Sequence, residues 1–121
     1  MDPAPEHPGS PSSRLRARPP HTAPQGALPA GCTALGLTEG RDGLLHVPVA
    51  AARQPCPLVV LLHGAGASAA VTMMLLADVT EAHGLVLLVP ESRASSWDFL
   101  RGGYGPDVEY IDRALAHVFA R

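Results

Sequence analysis

The hydrophobic positions of the chain fall into two uninterrupted apolar runs and two stretches with helical spacing. The apolar runs are Leu58–Leu62 and Leu85–Val89. Five apolar residues in a row, without polar alternation, are typical of a strand buried on both faces, as in a parallel sheet. The apolar residues that recur at about 3.6-residue intervals between the two runs are Val71, Met74, Leu75, Val79 and Ala82. This spacing predicts a helix that buries those five side chains.

The ends of the predicted helices carry local signals. Ser68 is suited to cap the first helix, and Gly84 is suited to the left-handed residue that ends it. Pro106 is well placed at the first position of a second helix. The residues that form one apolar stripe on this second helix are Val108, Ile111, Leu115, Val118 and Phe119.

The segment before the first apolar run predicts a short hairpin. Leu35–Leu37 and Leu44–Val47 flank a turn with two glycines, which is the pattern of two short strands. The chain is therefore predicted to be α/β, with this hairpin followed by a parallel strand–helix–strand core. Residues 1–32 are rich in proline and arginine and lack apolar periodicity, so they are predicted to be a disordered tail before a domain over 33–121.

Composition narrows the function classes. Hydrophobic residues make up 46% of the chain and charged residues 17%, which is globular composition. The net charge of −2 gives no basic surface for nucleic acid, and the absence of lysine excludes a P-loop for nucleoside triphosphates. Apolar runs of five residues are far shorter than the roughly 20 of a membrane span. Two cysteines, Cys32 and Cys56, are too few for a disulfide scaffold or a zinc site, so we expect a cytoplasmic protein without metal or cofactor.

A glycine-rich turn, His63–Ala67, joins the first apolar run to the first helix. Such a turn presents backbone N–H groups near the positive end of a helix, and it therefore favours an anion. One candidate is a dinucleotide, because Gly64, Gly66 and Ala69 satisfy the G-x-G-x-x-[G/A] spacing. Glu91 is the candidate ribose ligand, but it lies 27 residues after Gly64 rather than about 20.

The other candidate is the oxyanion of an acyl-transfer intermediate. Pro57–Ala67 resembles the strand and oxyanion loop of the α/β-hydrolase superfamily, and Leu85–Ser92 resembles its next strand. Ser95–Phe99 and Gly103–Val108 are similar to the corresponding segments of bacterial serine esterases of the phospholipase/carboxylesterase group. The resemblance covers about residues 34–121. It implies a partial α/β-hydrolase fold, a three-layer sandwich, and the hydrolysis of small carboxylic esters.

The resemblance assigns roles residue by residue. Ala65 occupies the position whose backbone N–H donates to the oxyanion, because one donor of that hole comes from the loop after the third strand. Gly64 and Gly66 let the backbone turn closely, and His63 is expected to brace the loop rather than transfer protons. Trp97 and Tyr104 are candidates to line an acyl pocket or to anchor the loop.

The superfamily's nucleophile stands in a G-x-S-x-G turn, followed in the chain by the acid and the histidine. No G-x-S-x-G occurs in these 121 residues, so the resemblance places all three catalytic residues beyond Arg121 and implies the amino-terminal half of a hydrolase. We therefore expect the isolated chain to lack turnover and to self-associate through an open sheet edge or a bare helix face. A non-catalytic interaction protein is the remaining alternative.

Overall fold

The computed structural model of the chain describes residues 14–20, 29–94, 96–98 and 105–120. Most of the predicted tail lies outside these ranges. Residues 14–20 contain no helix or strand, and the backbone N–H groups of Arg16 and Ala17 both donate to the side chain of Asp112. The first strand, β1, spans Gly31–Ala34 and so begins inside the segment that the sequence assigned to the tail.

The described residues form a mixed four-stranded sheet and two α-helices, which confirms the α/β class. The remaining strands are β2 (Leu44–Val47), β3 (Leu58–Val60) and β4 (Val86–Val89). Helix α1 spans Ala69–His83 between β3 and β4, and α2 spans Pro106–Phe119. The strand order is β1-β2-β4-β3, in which β3 and β4 are parallel and the other two pairs are antiparallel. The predicted hairpin and the predicted strand–helix–strand core are therefore both present.

The first strand of the hairpin lies earlier in the chain than predicted. β1 ends at Ala34, whereas the sequence pattern pointed to Leu35–Leu37. The reason is Gly36, whose φ of +74° turns the chain away from extended geometry. The side chain of Asp42 accepts a hydrogen bond from the Gly36 N–H at 2.6 Å and so holds this turn against the other arm of the hairpin.

The centre of the sheet is β4, which is paired on both edges and covered on both faces. Leu87, Leu88 and Val89 have no solvent exposure. Leu87 and Val89 pack with Ala69 and Met73 of α1, whereas Leu88 packs with residues of β2 and α2. Because successive side chains of a strand point to opposite faces, the two helices lie on opposite sides of the sheet.

The face that α1 turns to the sheet is not the predicted one. The predicted stripe is exposed along its whole length, and Met74 is 83% exposed. The residues that face the sheet are Ala69, Met73, Leu76, Ala77 and Thr80. This second set also recurs at helical spacing, and its three small residues, Ala69, Ala77 and Thr80, let the helix approach the sheet closely. The Thr80 hydroxyl is satisfied within the helix because it donates to the Ala77 carbonyl at 2.9 Å.

Both ends of α1 and the start of α2 are as predicted. The Ser68 side chain accepts from the Val71 N–H at 3.4 Å, and Gly84 adopts the left-handed conformation with φ of 67°. Pro106 is at the start of α2. Four residues of the predicted stripe, Ile111, Leu115, Val118 and Phe119, belong to the core on this side of the sheet. No helix among the residues that the structure describes is long and apolar enough to cross a membrane.

Tyr110 joins α2 to the hairpin turn through a buried hydroxyl. Its ring is 2% exposed, its O–H donates to the Asp42 carboxylate, and it accepts from the Gly43 N–H. The Arg93 guanidinium lies over the ring, 3.6 Å from its centroid. Burial, together with the hydrogen bond to Asp42, raises the pKa of Tyr110 from 10.0 to about 12.

We expect Tyr110→Phe to lower the free energy of unfolding by about 1–3 kcal/mol at pH 7, because the buried Gly43 N–H loses its acceptor. In the unaltered chain, the folded state keeps the Tyr110 proton to about pH 12, while the unfolded chain loses it near pH 10. The contribution of Tyr110 to stability is therefore constant below about pH 10 and is lost between about pH 10 and 12, by about 2–3 kcal/mol in all. Urea unfolding at a series of pH values from 7 to 12 measures both effects.

The chain's other tyrosine provides the control for this measurement. Tyr104→Phe leaves Tyr110 as the only phenol, so its ultraviolet titration isolates the late ionisation. A Tyr110→Phe variant that kept both its stability and the alkaline loss of stability would contradict the assigned network.

Candidate functional site

The loop between β3 and α1 contains the glycine-rich turn that the sequence analysis predicted to bind an anion. Gly64, Ala65 and Gly66 are exposed at its tip. The tip is a tight turn, in which the Ala67 N–H donates to the Gly64 carbonyl at 3.0 Å. Gly66 has a φ of +76°, a conformation that side chains disfavour, so a glycine is needed at this position of the turn.

His63 lies beneath this tip and is 3% exposed. Its Nε2 accepts from the Ser92 N–H at 3.0 Å, and its Nδ1 lies 2.8 Å from the Gly64 carbonyl. Because a backbone N–H can only donate, Nε2 must be the unprotonated nitrogen, and Nδ1 then donates to Gly64. Both ring nitrogens are engaged within the protein, which is the arrangement expected of a bracing histidine.

Trp97 fixes the same loop from a second direction. Its ring stacks on His63 with centroids 4.6 Å apart, and its indole N–H donates to the His63 carbonyl at 2.9 Å. Trp97 is 8% exposed, so its contacts are those of an anchor for the loop. The second candidate pocket residue, Tyr104, lies outside the described residues.

Ser92 is buried and its polar atoms are occupied. Its hydroxyl donates to the Ala94 carbonyl, and the Arg41 side chain donates to the Ser92 carbonyl at 2.7 Å and to the hydroxyl at 3.2 Å. A hydroxyl with no exposure has no open approach for a substrate. Ser92 is therefore part of the support for the loop rather than an available nucleophile.

Glu91 occupies the beginning of α1. Its carboxylate accepts from the Ala69 N–H at 2.9 Å and lies 3.9 Å from the Arg41 guanidinium. A carboxylate at this position satisfies an unpaired helix N–H and complements the positive end of the helix dipole. The anion at the helix start is thus a side chain of the protein, which leaves Glu91 poorly placed to bind a ribose.

The N–H groups at the tip of the loop, including that of Ala65, differ from those of the residues that lead into α1. The N–H groups of Ala67, Ala69 and Val71 donate to acceptors within the chain. No acceptor among the described residues pairs with the N–H groups of Gly64, Ala65 or Gly66, and all three residues are exposed. The loop therefore combines a tip N–H open to a ligand with a buried support that limits its movement.

The segment after β4 contains supporting residues that the sequence pattern did not identify. The buried Asp107 carboxylate accepts from the N–H groups of Arg93 and Asp98, and the Asp98 carboxylate accepts from the Asp107 N–H at 2.9 Å. These bonds tie the segment to the start of α2. The sequence contains one signal for Asp107, because an acidic residue in the first turn after Pro106 is favoured at a helix start. Its partners could not be identified in the same way, since they lie up to 14 residues away.

We expect His63→Ala to loosen this support, because the buried Ser92 N–H loses its acceptor and Trp97 loses its stacking partner. Trp97 is the only tryptophan, so its fluorescence emission should shift to longer wavelength, and hydrogen exchange at the Ser92 amide should accelerate. The free energy of unfolding should fall by about 2–4 kcal/mol.

His83→Ala is the matched control, because His83 is exposed at the end of α1. It should leave Trp97 emission and Ser92 exchange unchanged. Equal behaviour of the two variants would show that His63 does not brace the loop.

The described residues contain no group of three or more histidine, cysteine or acidic side chains placed to hold a metal ion. Comparisons with protein-family models, with curated proteins and with solved structures each find no match for this chain.

Proposed function

We propose that this chain carries the oxyanion-binding part of a serine-dependent carboxylic-ester hydrolase of the phospholipase/carboxylesterase type. The observation that carries the proposal is the exposed Ala65 N–H at the tip of the loop that His63, Ser92 and Trp97 support from below. In this superfamily one oxyanion donor comes from the loop between the third strand and the following helix. Here that loop likewise joins the third strand to the first α-helix.

Ester hydrolysis by a serine nucleophile requires a hydrogen-bond donor that is held in place before the reaction. When a serine attacks an ester, negative charge develops on the former carbonyl oxygen, and a fixed donor stabilises this charge without moving. The supports beneath Ala65 act on the backbone on both sides of the tip, since His63 is bound to Ser92 and Ala69 to Glu91. A partial α/β-hydrolase fold is also compatible with a hairpin that leads into a parallel strand–helix–strand unit.

The proposal places the nucleophile, acid and base outside these 121 residues, because no G-x-S-x-G occurs within them. The dinucleotide alternative has less support. Glu91, its proposed ribose ligand, already bonds the Ala69 N–H, and Ala69 is the last residue of the glycine-rich motif.

We expect the purified 121-residue chain to hydrolyse p-nitrophenyl acetate no faster than buffer, because under this proposal the nucleophile and the base lie outside it. A fluorophosphonate probe should likewise leave its serines unlabelled. Turnover that disappears in Ser92→Ala, Ser95→Ala or Ser96→Ala would contradict the assignment of the nucleophile to residues outside the chain.

The oxyanion role can be tested separately by nuclear magnetic resonance of the ¹⁵N-labelled chain. Methylphosphonate, a small tetrahedral oxyanion, should shift the amide of Ala65 together with those of Gly64 and Gly66, because these N–H groups have no acceptor among the described residues. NADH should cause no comparable shifts over Gly64–Ala69 and no quenching of its own fluorescence. The opposite pattern, saturable shifts with NADH and none with methylphosphonate, would favour the dinucleotide alternative.

A further inference from the structure

The hairpin of β1 and β2 places a cysteine directly opposite a histidine. Cys32 pairs with His46 in the antiparallel register, so the two side chains lie on the same face of the sheet. The Leu35 N–H donates to the Gly43 carbonyl, which makes Leu35 and Gly43 a hydrogen-bonded pair of this ladder. Because the two kinds of pair alternate, Cys32 and His46 form a non-hydrogen-bonded pair, in which side chains lie closer together. The Cβ atoms of such a pair are about 4.5–5.5 Å apart.

The imidazole of His46 is largely buried, and its polar atoms are not satisfied. The side chain is 12% exposed, and neither ring nitrogen has a hydrogen-bond partner among the described residues. The Glu81 carboxylate of α1 lies 3.4 Å from Nε2. Since a carboxylate can only accept, it favours the tautomer with the proton on Nε2, and Nδ1 is then a buried acceptor without a donor. A buried acceptor of this kind is unfavourable, so Nδ1 is suited to take up a proton.

The Glu81 carboxylate is itself held in place by the backbone. Both of its oxygens lie 3.2 Å from the Val49 N–H, at the start of a 3₁₀ turn over Val49–Ala52. Leu87, the neighbour of His46 on β4, brings no charge to the imidazole. The three side chains thus comprise a thiol, an imidazole and a carboxylate that orients the imidazole. This is the general arrangement of a cysteine nucleophile with an adjacent base.

The two thiols of the chain differ in their access to solutes. Cys32 is exposed, whereas Cys56 is half-buried and its Sγ donates to the Gln54 carbonyl at 3.6 Å. Rotation of the Cys32 side chain between its staggered positions brings Sγ either to the imidazole or to a solute. The thiol, imidazole and carboxylate belong to β1, β2 and α1, and β1 lies at the edge of the sheet opposite β3. The arrangement therefore does not depend on what adjoins β3.

We propose that Cys32 forms mixed disulfides with small disulfides, with His46 as its general base and Glu81 as the residue that positions His46. The Cys32 S–H proton passes to His46 Nδ1 while the sulfur attacks one sulfur of the reagent. A disulfide bond to Cys32 forms and the disulfide bond of the reagent breaks. The leaving sulfur takes the proton from Nδ1 and departs as a thiol. One disulfide is exchanged for another, so the step needs no further oxidant. The proposal does not depend on the ester-hydrolase assignment.

Mass spectrometry of the reduced chain during reaction with bis(2-hydroxyethyl) disulfide at pH 7 measures the rate at each cysteine. The reagent is uncharged, so the Glu81 carboxylate does not repel it. Cys32 should react at least about tenfold faster in the folded chain than in the same chain unfolded in urea. Exposure alone cannot produce this difference, because unfolding exposes the thiol fully, and Cys56 should react no faster in the folded chain. A Cys32 rate in the folded chain that is equal to or below the unfolded rate overturns the proposal.

The role of His46 is tested by two substitutions. His46→Gln should lower the rate at Cys32 at least about tenfold and leave that at Cys56 unchanged, with circular dichroism as the check on folding. His83→Gln is the matched control, since His83 is exposed, and it should change the Cys32 rate by less than about twofold. Added imidazole should restore part of the Cys32 rate in His46→Ala, which a purely structural histidine would not allow. Equal Cys32 rates in His46→Gln and His83→Gln would contradict the assigned base.

The positioning role of Glu81 is tested by removing its charge alone. Glu81→Gln keeps an acceptor for the Val49 N–H and should lower the Cys32 rate at least about threefold. Glu109→Gln is the matched control, because Glu109 is exposed on α2 at the other side of the sheet, and it should leave the rate unchanged. In a His46→Gln background, Glu81→Gln should have no further effect, since Glu81 acts through His46. An undiminished loss of rate in that background would contradict the positioning role.

Discussion

The burial of β4 is the constraint on which the other elements depend. Leu87, Leu88 and Val89 have no exposure, and burying each of them contributes about 1.5–3 kcal/mol. Their alternation sends Leu87 and Val89 toward α1 and Leu88 toward α2, so one short strand fixes the side of the sheet on which each helix lies. The same strand joins two kinds of pairing, since β2 is antiparallel to it and β3 is parallel.

The segment that follows β4 supports the candidate site. Beyond Pro90 the chain is still partly buried, so its polar groups must find partners inside the protein. The Ser92 N–H donates to His63, and the Arg93 N–H donates to Asp107. The Glu91 carboxylate accepts from the Ala69 N–H. Satisfying these groups joins the exit of β4 to the β3–α1 loop and to α2. The rigidity proposed for the Ala65 N–H is thus a consequence of hydrogen-bond satisfaction in the core.

The two edges of the described sheet differ in the elements that adjoin them. On one side the hairpin of β1 and β2 covers the edge of β4, and Tyr110 locks its turn to α2. On the other side β3 presents an apolar edge, and the outer face of α1 carries Val71, Met74, Leu75 and Val79 in contact with solvent. Among the described residues, exposed apolar side chains are therefore concentrated on α1 and β3.

Local signals in the sequence determined the element boundaries. Ser68, Gly84 and Pro106 act within a few residues of their own positions, so these features could be predicted. The unbroken apolar runs mark the positions of the two parallel strands, but only β4 is buried on both faces as predicted, since Val59 and Val60 of β3 are exposed. The glycine-rich turn after the third strand was identified for the same reason. Where a glycine interrupts a short apolar stretch, as at Gly36, the local pattern could not distinguish a strand from a turn.

Only the tertiary structure decided which face of α1 is buried, because apolar residues lie on several sides of this helix and two stripes with the same period compete. The stripe that contains the small residues Ala69, Ala77 and Thr80 lies against the sheet because these side chains allow closer packing. A count of apolar positions favours the bulkier stripe instead. The roles of Glu91 and Tyr110 also required the fold. Their partners, Ala69 and Asp42, lie 22 and 68 residues away, and sequence spacing holds no information about contacts that exist only after the sheet has formed.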